Sequence, residues 1–168
     1  APAGLATGGA TALSLLRKAD PRPGQRVLVY GASGSVGVYA VQLARYFGAE
    51  VTGVCSTGNL ALVQSLGAGR VIDYTTTELK SCAETFDVVF DAVAKLPAAL
   101  ARRLSAPSGV RLSVAKHAGS VLKMTTADLK FLAALVDGGE LRTFIDREYP
   151  LDRMVEAHTY VQRGHKRG

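Results

Sequence analysis

Short apolar runs rich in valine alternate along the chain with longer amphipathic segments, and glycine or proline separates most of them. The apolar runs predict six strands, at residues 27–30, 51–55, 70–73, 86–91, 110–114 and 141–145. The amphipathic segments predict helices at residues 5–18, 35–47, 59–66, 96–104, 128–136 and 151–162. Strands that alternate with helices predict an α/β fold of the Rossmann type, a doubly wound parallel sheet in the order 3-2-1-4-5-6 with helices on both faces.

The chain is long enough to bury one good hydrophobic core. It has 168 residues, 48% of them hydrophobic, and Val, Leu and Ala dominate as they do in parallel sheets covered by helices. We therefore predict a single domain over residues 1–168. Because the chain begins at Ala1 without an initiator Met or a signal peptide, we interpret it as a domain excised or trimmed from a longer protein.

A glycine-rich turn follows the first predicted strand and opens directly into a helix. Gly31, Gly34 and Gly37 are spaced G-x-x-G-x-x-G, one residue wider between the first pair than the usual dinucleotide fingerprint. Glycine lets phosphate oxygens approach the backbone, and a helix N-terminus offers free N–H groups with a partial positive charge. The order of strand, turn, helix and strand favours dinucleotide binding over an ordinary structural turn. The candidate phosphate-binding residues are Ala32, Ser33, Gly34, Ser35, Val36 and Gly37.

The end of the second predicted strand lacks the Asp or Glu that NAD-binding sites usually place there to bind the ribose hydroxyls. A 2′-phosphate would therefore meet no carboxylate at this point, and the side chains present could hydrogen-bond it. The pattern favours NADPH over NADH, and the alternative is an ordinary Ser/Thr/Asn helix cap. The candidates are Cys55, Ser56, Thr57 and Asn59, with Tyr74 beyond the third strand at the adenosine end.

The fourth and fifth predicted strands end beside the point where the strand order reverses. The carboxyl ends of such strands face the ligand crevice, so backbone groups of Ala92, Val93 and Val114 are candidates for holding the nicotinamide and its ribose. Simple strand termination is the alternative. We interpret the stretch from His117 to Thr126 as a loop that covers the cofactor.

Catalytic groups are scarce, and the catalytic residues stay unassigned. No tyrosine is followed four residues later by lysine, which argues against a short-chain dehydrogenase. Ser33 lies in the phosphate turn, where a nucleophilic serine is not expected, and His158 is interpreted as a surface or packing residue. Cys55 and Cys82 suggest neither a disulfide framework nor zinc ligands, so we predict no metal site and a reducing, cytoplasmic location.

The formal net charge of +6 favours anionic ligands, including a phosphorylated cofactor. The basic C-terminal residues Arg163, His165, Lys166 and Arg167 are interpreted as a solvated tail. No basic patch is interleaved with aromatics, and no apolar run reaches the roughly 18 residues of a membrane helix. We therefore predict a small-molecule substrate and neither a nucleic acid nor a membrane as a partner.

Several motifs, spread over nearly the whole chain, together resemble one known family. They are Thr11-Ala-Leu13, Gly24-Gln-Arg-Val-Leu-Val-Tyr-Gly-Ala-Ser-Gly-Ser-Val-Gly37, Ala40-Val-Gln-Leu-Ala44, Gly48-Ala-Glu-Val51, Leu66-Gly-Ala68, Val71-Ile-Asp-Tyr74, Phe86-Asp-Val-Val-Phe-Asp-Ala92, Ile145-Asp-Arg-Glu-Tyr-Pro-Leu151, Glu156-Ala-His158 and Gly164-His-Lys-Arg-Gly168. The chain resembles the medium-chain dehydrogenase/reductase superfamily, and specifically its zinc-independent quinone-oxidoreductase-like branch.

The resemblance implies the reduction of quinones or enones by hydride transfer from NADPH, without a metal. It implies that the loop at residues 56–59 grips the 2′-phosphate near Tyr74, although relatives often carry a basic residue in that loop and this chain does not. Thr11 would lie near the nicotinamide. The family also has an N-terminal GroES-like barrel domain, missing from this chain, that supplies much of the substrate pocket, and it often forms homodimers through the strand predicted from Leu141 to Ile145.

Three other interpretations stay open from the residues. The chain could be a non-catalytic nucleotide-sensing module, a relative of the zinc-type alcohol dehydrogenases, or a methyltransferase with a related fold. The methyltransferase would need an acidic residue at the end of the second strand, where Cys55 and Ser56 offer none.

Overall fold

The computed structural model describes residues 4–115, 125–162, 164 and 166–168. The loop predicted from His117 to Thr126 lies outside these residues apart from Thr125 and Thr126, and so do Arg163 and His165. No helix in the described ranges is both long enough and apolar enough to cross a membrane.

Five parallel strands form one sheet in the described part of the chain, in the order β3-β2-β1-β4-β5. The strands are β1 (Arg26–Tyr30), β2 (Glu50–Cys55), β3 (Arg70–Asp73), β4 (Phe86–Asp91) and β5 (Ser105–Ser113). The helices are α1 (Ala10–Ala19), α2 (Gly37–Tyr46), α3 (Leu60–Ser65), α4 (Ala98–Leu104), α5 (Thr126–Asp137) and α6 (Met154–Gln162). The predicted α/β architecture is therefore confirmed, with one strand fewer than expected.

Alternation along the strands divides the core between the two faces of the sheet. In β1, Val27 and Val29 pack against α1, α2 and α5, whereas Leu28 points to the opposite face and packs with Leu104 of α4. Both faces are buried because helices cover them, which explains why the strands read as nearly continuous apolar runs. Helix α6 contributes no buried residue, and Val155 on its surface is 79% exposed.

The prediction of a sixth strand from Leu141 to Ile145 is wrong. Leu141 is buried, but its amide donates to the Leu135 carbonyl at the end of α5 (3.0 Å) instead of to a neighbouring strand. The buried Gln42 side chain then accepts from the Arg142 amide (2.7 Å) and donates to the Arg142 carbonyl (3.0 Å). A side-chain amide thus takes the place of a strand partner, and β5 is the edge of the described sheet.

The fifth strand begins earlier than the predicted residues 110–114. Ser105 pairs with Phe86, and regular pairing resumes only where Val110 meets Val88. The intervening residues, including Pro107 and Gly109, form an irregularity in the strand. Pro107 and Gly109 are therefore accommodated inside one strand, ahead of the predicted residues 110–114.

Candidate functional site

The strand order reverses between β1 and β4, which are paired at the centre of the sheet although they are not consecutive in sequence. In doubly wound sheets, ligands bind outside the carboxyl ends of the strands at such a switch point. The turns that follow β1, β2, β3 and β4 therefore define the region where a ligand is expected.

The turn after β1 is fixed to the neighbouring strand by its first two amides. Gly31 and Ala32 both donate to the Val54 carbonyl at 3.0 Å, and Gly34 donates back to the Gly31 carbonyl at 3.1 Å. Gly31 has a φ of +77°, in the region that favours glycine. The backbone of the turn is therefore hydrogen-bonded to β2 in addition to being continuous with β1.

Helix α2 starts against this turn with almost no space between the two backbones. A Cβ atom at Gly37 would lie 2.1 Å from the Gly31 carbonyl oxygen and 2.8 Å from Ala32 backbone atoms. On the other side, a Cβ at Gly8 would lie 2.1 Å from the Ser35 carbonyl oxygen. Glycine at these two positions lets the start of α2 sit in contact with both the turn and the helical segment Leu5–Gly9.

The N-terminus of α2 has no side-chain cap. Its N-cap residue is Val36, which carries no hydrogen-bonding side chain, and no side-chain cap hydrogen bond is formed there. The first amides of a helix lack intrahelical acceptors and carry a partial positive charge. The Val38 amide already donates to the Gly34 carbonyl at 3.0 Å, so the amides of Val36 and Gly37 are the ones from which an anion beside the glycine-rich turn can accept, as a diphosphate does in dinucleotide sites.

The loop after β2 presents one buried acceptor without a partner. The Asn59 side-chain nitrogen donates to the Ser56 hydroxyl oxygen at 3.0 Å, and the Asn59 Oδ1 atom is buried with no hydrogen bond. Buried polar atoms are normally paired, so an unpaired one beside a cleft is expected to find its partner on a ligand. Because Ser56 is the acceptor in this bond, its own hydroxyl hydrogen can donate to a ligand oxygen.

Thr57 is turned away from this loop toward β3. Its hydroxyl donates to Asp73 Oδ2 at 2.6 Å and lies 2.8 Å from the Thr75 hydroxyl. The hydrogen bonds from Thr57 and Thr75 hold the pKa of the Asp73 carboxyl below its usual value. Asp73 is therefore a negative charge close to the loop that the sequence assigns to a 2′-phosphate.

Two tyrosines form an aromatic wall next to the same loop. The rings of Tyr30 and Tyr74 are 6.4 Å apart and tilted by 40°. Tyr74 is half exposed, and burial, with smaller contributions from Tyr74 and Asp91, raises the pKa of the Tyr30 hydroxyl. The sequence predicts that Tyr74 lies at the adenosine end of the cofactor, and an exposed aromatic face in this position can stack with a planar ring.

The loop after β4 is organised by one buried carboxylate. Asp91 accepts from the amides of Val93 (3.2 Å), Lys95 (3.3 Å) and Leu96 (3.1 Å). Within this loop Ala94 has a φ of +57°, a conformation that non-glycine residues rarely adopt. The carboxylate thus holds the backbone in a strained path beside the switch point.

The turns and loops enclose a cleft of about 340 Å³. It is lined by Tyr30, Gly31, Ser33, Gly34, Cys55, Ser56, Gly58, Asn59, Tyr74, Val93, Lys95, Gly164, Lys166 and Arg167. Eight of the fifteen candidate residues from the sequence do not line it: these are Thr11, Ala32, Ser35, Val36, Gly37, Thr57, Ala92 and Val114. The sequence did not single out Tyr30, Lys95 or the C-terminal residues as parts of the site.

The candidates that do not line the cleft have identifiable positions behind or beside it. The Thr11 hydroxyl donates to the Thr7 carbonyl on its own helix at 2.7 Å. The Ala92 amide donates to Tyr30 (3.0 Å), and the Val114 amide donates to Asp91 (3.1 Å), so both amides continue the sheet ladder. Their N–H groups are therefore engaged by neighbouring strands.

Cys55 is a buried residue at the end of β2, as its small apolar character predicts. Burial, with a smaller contribution from the charge of Asp73, raises the pKa of its thiol to about 11. Because the thiolate is the reactive form, we expect Ellman's reagent to modify Cys55 at about pH 8 at least about tenfold more slowly than the partly exposed Cys82. The Cys82→Ser variant should retain one slow thiol. Rapid modification of that variant would contradict the buried position of Cys55.

The comparisons with known proteins agree on one family. A family model described as zinc-binding dehydrogenase matches residues 66–168. The chain is 33% identical over 177 residues to 2-methylene-furan-3-one reductase of Solanum lycopersicum. The match covers 94% of this chain and 42% of that protein. It is 30% identical over 164 residues to the chloroplastic NADPH-dependent alkenal/one oxidoreductase of Arabidopsis thaliana. This match covers 86% of this chain and 39% of that protein.

Among solved structures, the quinone oxidoreductase from Coxiella burnetii is similar over 99% of this chain and 58% of its own, with a TM-score of 0.81 and 27% identity. The chain thus spans less than half of the two curated relatives named above. Within the described ranges no group of three or more His, Cys, Asp or Glu side chains is placed so that it could hold a metal ion. With the family model matching more than half of its length, the chain belongs to the zinc-binding dehydrogenases of the medium-chain dehydrogenase/reductase superfamily, whose members compared here include quinone and enone oxidoreductases.

Proposed function

We propose that residues 1–168 form the nucleotide-binding domain of an NADPH-dependent oxidoreductase that reduces quinones or enones. The observation that carries the proposal is the cleft at the switch point, lined by Gly31, Ser33 and Gly34 of the glycine-rich turn, which leads into an uncapped helix N-terminus. This combination fits a nicotinamide dinucleotide better than an uncharged ligand, because free helix amides with a partial positive charge favour an anion. The names of the relatives support the same class of chemistry.

We assign the parts of a dinucleotide to residues that line the cleft and to residues beside it. The backbone from Ala32 to Gly37 would hold the diphosphate, and Tyr74 would lie against the adenosine end. The unpaired Asn59 oxygen would accept from a ribose hydroxyl, and the Ser56 hydroxyl would donate to the ribose or its phosphate. Ala92, Val93, Val114 and Thr11 are proposed for the nicotinamide end.

When bound, the nicotinamide supplies the hydride for an electron-poor carbon or a quinone. This domain binds and orients that cofactor. We propose that an N-terminal GroES-like barrel, outside this chain, supplies much of the substrate pocket. Homodimerisation and a cytoplasmic location remain part of the proposal; the expected dimer contact at Leu141 to Ile145 is not a strand.

Fluorescence titration of the chain with NADPH and NADH tests this function directly. We expect both nucleotides to bind, NADPH more tightly, because the end of β2 carries no Asp or Glu to bind the ribose hydroxyls of NADH. We also expect only slow quinone reduction by this chain alone, since the proposed barrel is missing. Failure of both nucleotides to bind would overturn the proposed function, and rapid quinone turnover by the isolated chain would overturn the placement of the substrate pocket.

A further inference from the structure

The loop at residues 56–59 lacks the charge that recognition of a 2′-phosphate requires. It reads Ser-Thr-Gly-Asn, and its Thr57 is bonded to the Asp73 carboxylate. That carboxylate would repel a phosphate dianion brought to the loop. A cation from another part of the chain is therefore needed if the cleft is to prefer NADPH.

Arg167 reaches this loop from 109 positions away in the sequence. Its guanidinium Nη2 donates to the Gly58 carbonyl oxygen at 3.2 Å, and the side chain lines the cleft together with Lys166 and Lys95. A guanidinium has five N–H donors in a planar fork, and this contact uses one of them. Arg167 is exposed, so other donors can bind phosphate oxygens, for which the fork geometry is well matched.

The backbone of this C-terminal segment is fixed at two points. The Arg167 amide donates to Asp146 Oδ2 at 3.1 Å, and the Gly168 amide donates to the Ser33 carbonyl in the glycine-rich turn at 3.0 Å. Asp146 also accepts from the Tyr160 hydroxyl of α6. Burial opposes ionisation of Asp146, but these donors and the nearby arginine charges hold the pKa of its carboxyl below the usual value.

We propose that Arg167 is the residue that selects NADPH over NADH, by binding the cofactor's 2′-phosphate from the C-terminal segment. The proposal rests on the proposed function, because it assigns the adenosine ribose to the loop that Arg167 contacts. Lys166 and Lys95 add positive potential to the same cleft. The positive charge that selects NADPH thus comes from the C-terminal basic residues, which the sequence analysis interprets as a solvated tail.

The test measures dissociation constants for NADPH and NADH with the unaltered chain, Arg167→Gln, Arg167→Lys and Lys130→Gln. Lys130 is an exposed cation on α5 that does not line the cleft, so Lys130→Gln matches the loss of charge. We expect Arg167→Gln to weaken NADPH binding about tenfold and to leave NADH binding within about twofold. Arg167→Lys should retain part of the preference, and Lys130→Gln should change neither nucleotide. The preference should also decrease with added salt in the unaltered chain.

The outcomes separate this inference from the function on which it rests. Equal weakening of NADPH and NADH in Arg167→Gln would show that Arg167 only supports the loop, and it would overturn the inference. An unchanged ratio of the two constants, or equal affinities in the unaltered chain, would also overturn it while leaving nicotinamide nucleotide binding in place. Absence of binding by both nucleotides in the unaltered chain would overturn the proposed function and this inference together.

Discussion

The Gly37→Ala variant is expected to lose at least about 3 kcal/mol of free energy of unfolding, because the added methyl group would collide with backbone atoms. The Cβ would lie 2.1 Å from the Gly31 carbonyl oxygen, and that residue is itself bonded to Val54 at 3.0 Å. Backbone atoms in a tied turn cannot rotate away as a flexible side chain can. Urea denaturation followed by circular dichroism measures the loss.

Gly34→Ala is the matched control for this prediction. Its Cβ would lie 3.5 Å from the same Gly31 oxygen, an ordinary van der Waals distance. We expect its free energy of unfolding to stay within about 1 kcal/mol of the unaltered chain, since alanine also restricts the unfolded chain. Equal stability of Gly37→Ala and Gly34→Ala would contradict the close contact between the turn and α2.

The Asp91→Ala variant is expected to lose about 3 kcal/mol of free energy of unfolding and to bind NADPH more weakly. The substitution removes the acceptor for the amides of Val93, Lys95 and Leu96. The loop that carries these amides also lines the cleft, through Val93 and Lys95. Stability and nucleotide affinity should therefore fall together, and denaturation and fluorescence titration measure the two effects.

Asp87→Ala provides the control, because Asp87 lies at the other end of β4. It accepts a single backbone hydrogen bond, from the Arg26 amide at 2.8 Å. We expect a loss of about 1 kcal/mol and no change in nucleotide affinity. If Asp91→Ala bound NADPH as tightly as Asp87→Ala does, the loop after β4 would have no part in the site.

The first four strands and the glycine-rich turn were predictable because their signals are local. Apolar runs such as Val27 to Tyr30 fill both faces of a parallel sheet, and Gly37 sits where the backbone leaves no room for a side chain. The predicted strands agree with β1 to β4 within a residue. These features depend on residues close together in sequence, so spacing alone identifies them.

The sixth strand could not be excluded from sequence, because its replacement depends on a distant side chain. Residues 141–145 have the composition of a strand, yet Gln42, 100 positions earlier, bonds both backbone groups of Arg142. A buried glutamine on α2 gives no sequence signal of such a contact. The irregularity at Pro107 in β5 was not predictable for a similar reason, because it depends on how β5 pairs with β4.

Several candidate residues that are distant in sequence, namely Ser33, Ser56, Asn59 and Tyr74, line one cleft, and their role in binding a cofactor stays a prediction. Arg167 lines the same cleft but was interpreted from the sequence as part of a solvated tail, because a basic cluster at the end of a chain is usually solvated. The only available signal was indirect, namely the absence of any cation in the loop at residues 56–59.

Backbone amide chemical shifts recorded during a titration with NADPH test the central claim, that the start of α2 binds a diphosphate. The account predicts the largest shifts at Gly34 to Val38, with further shifts at Ser56, Asn59 and Tyr74. The separate cavity lined by Gln42, Arg45 and Arg142 should show none. Shifts confined to that cavity, or spread over the chain without a maximum at the glycine-rich turn, would contradict the account.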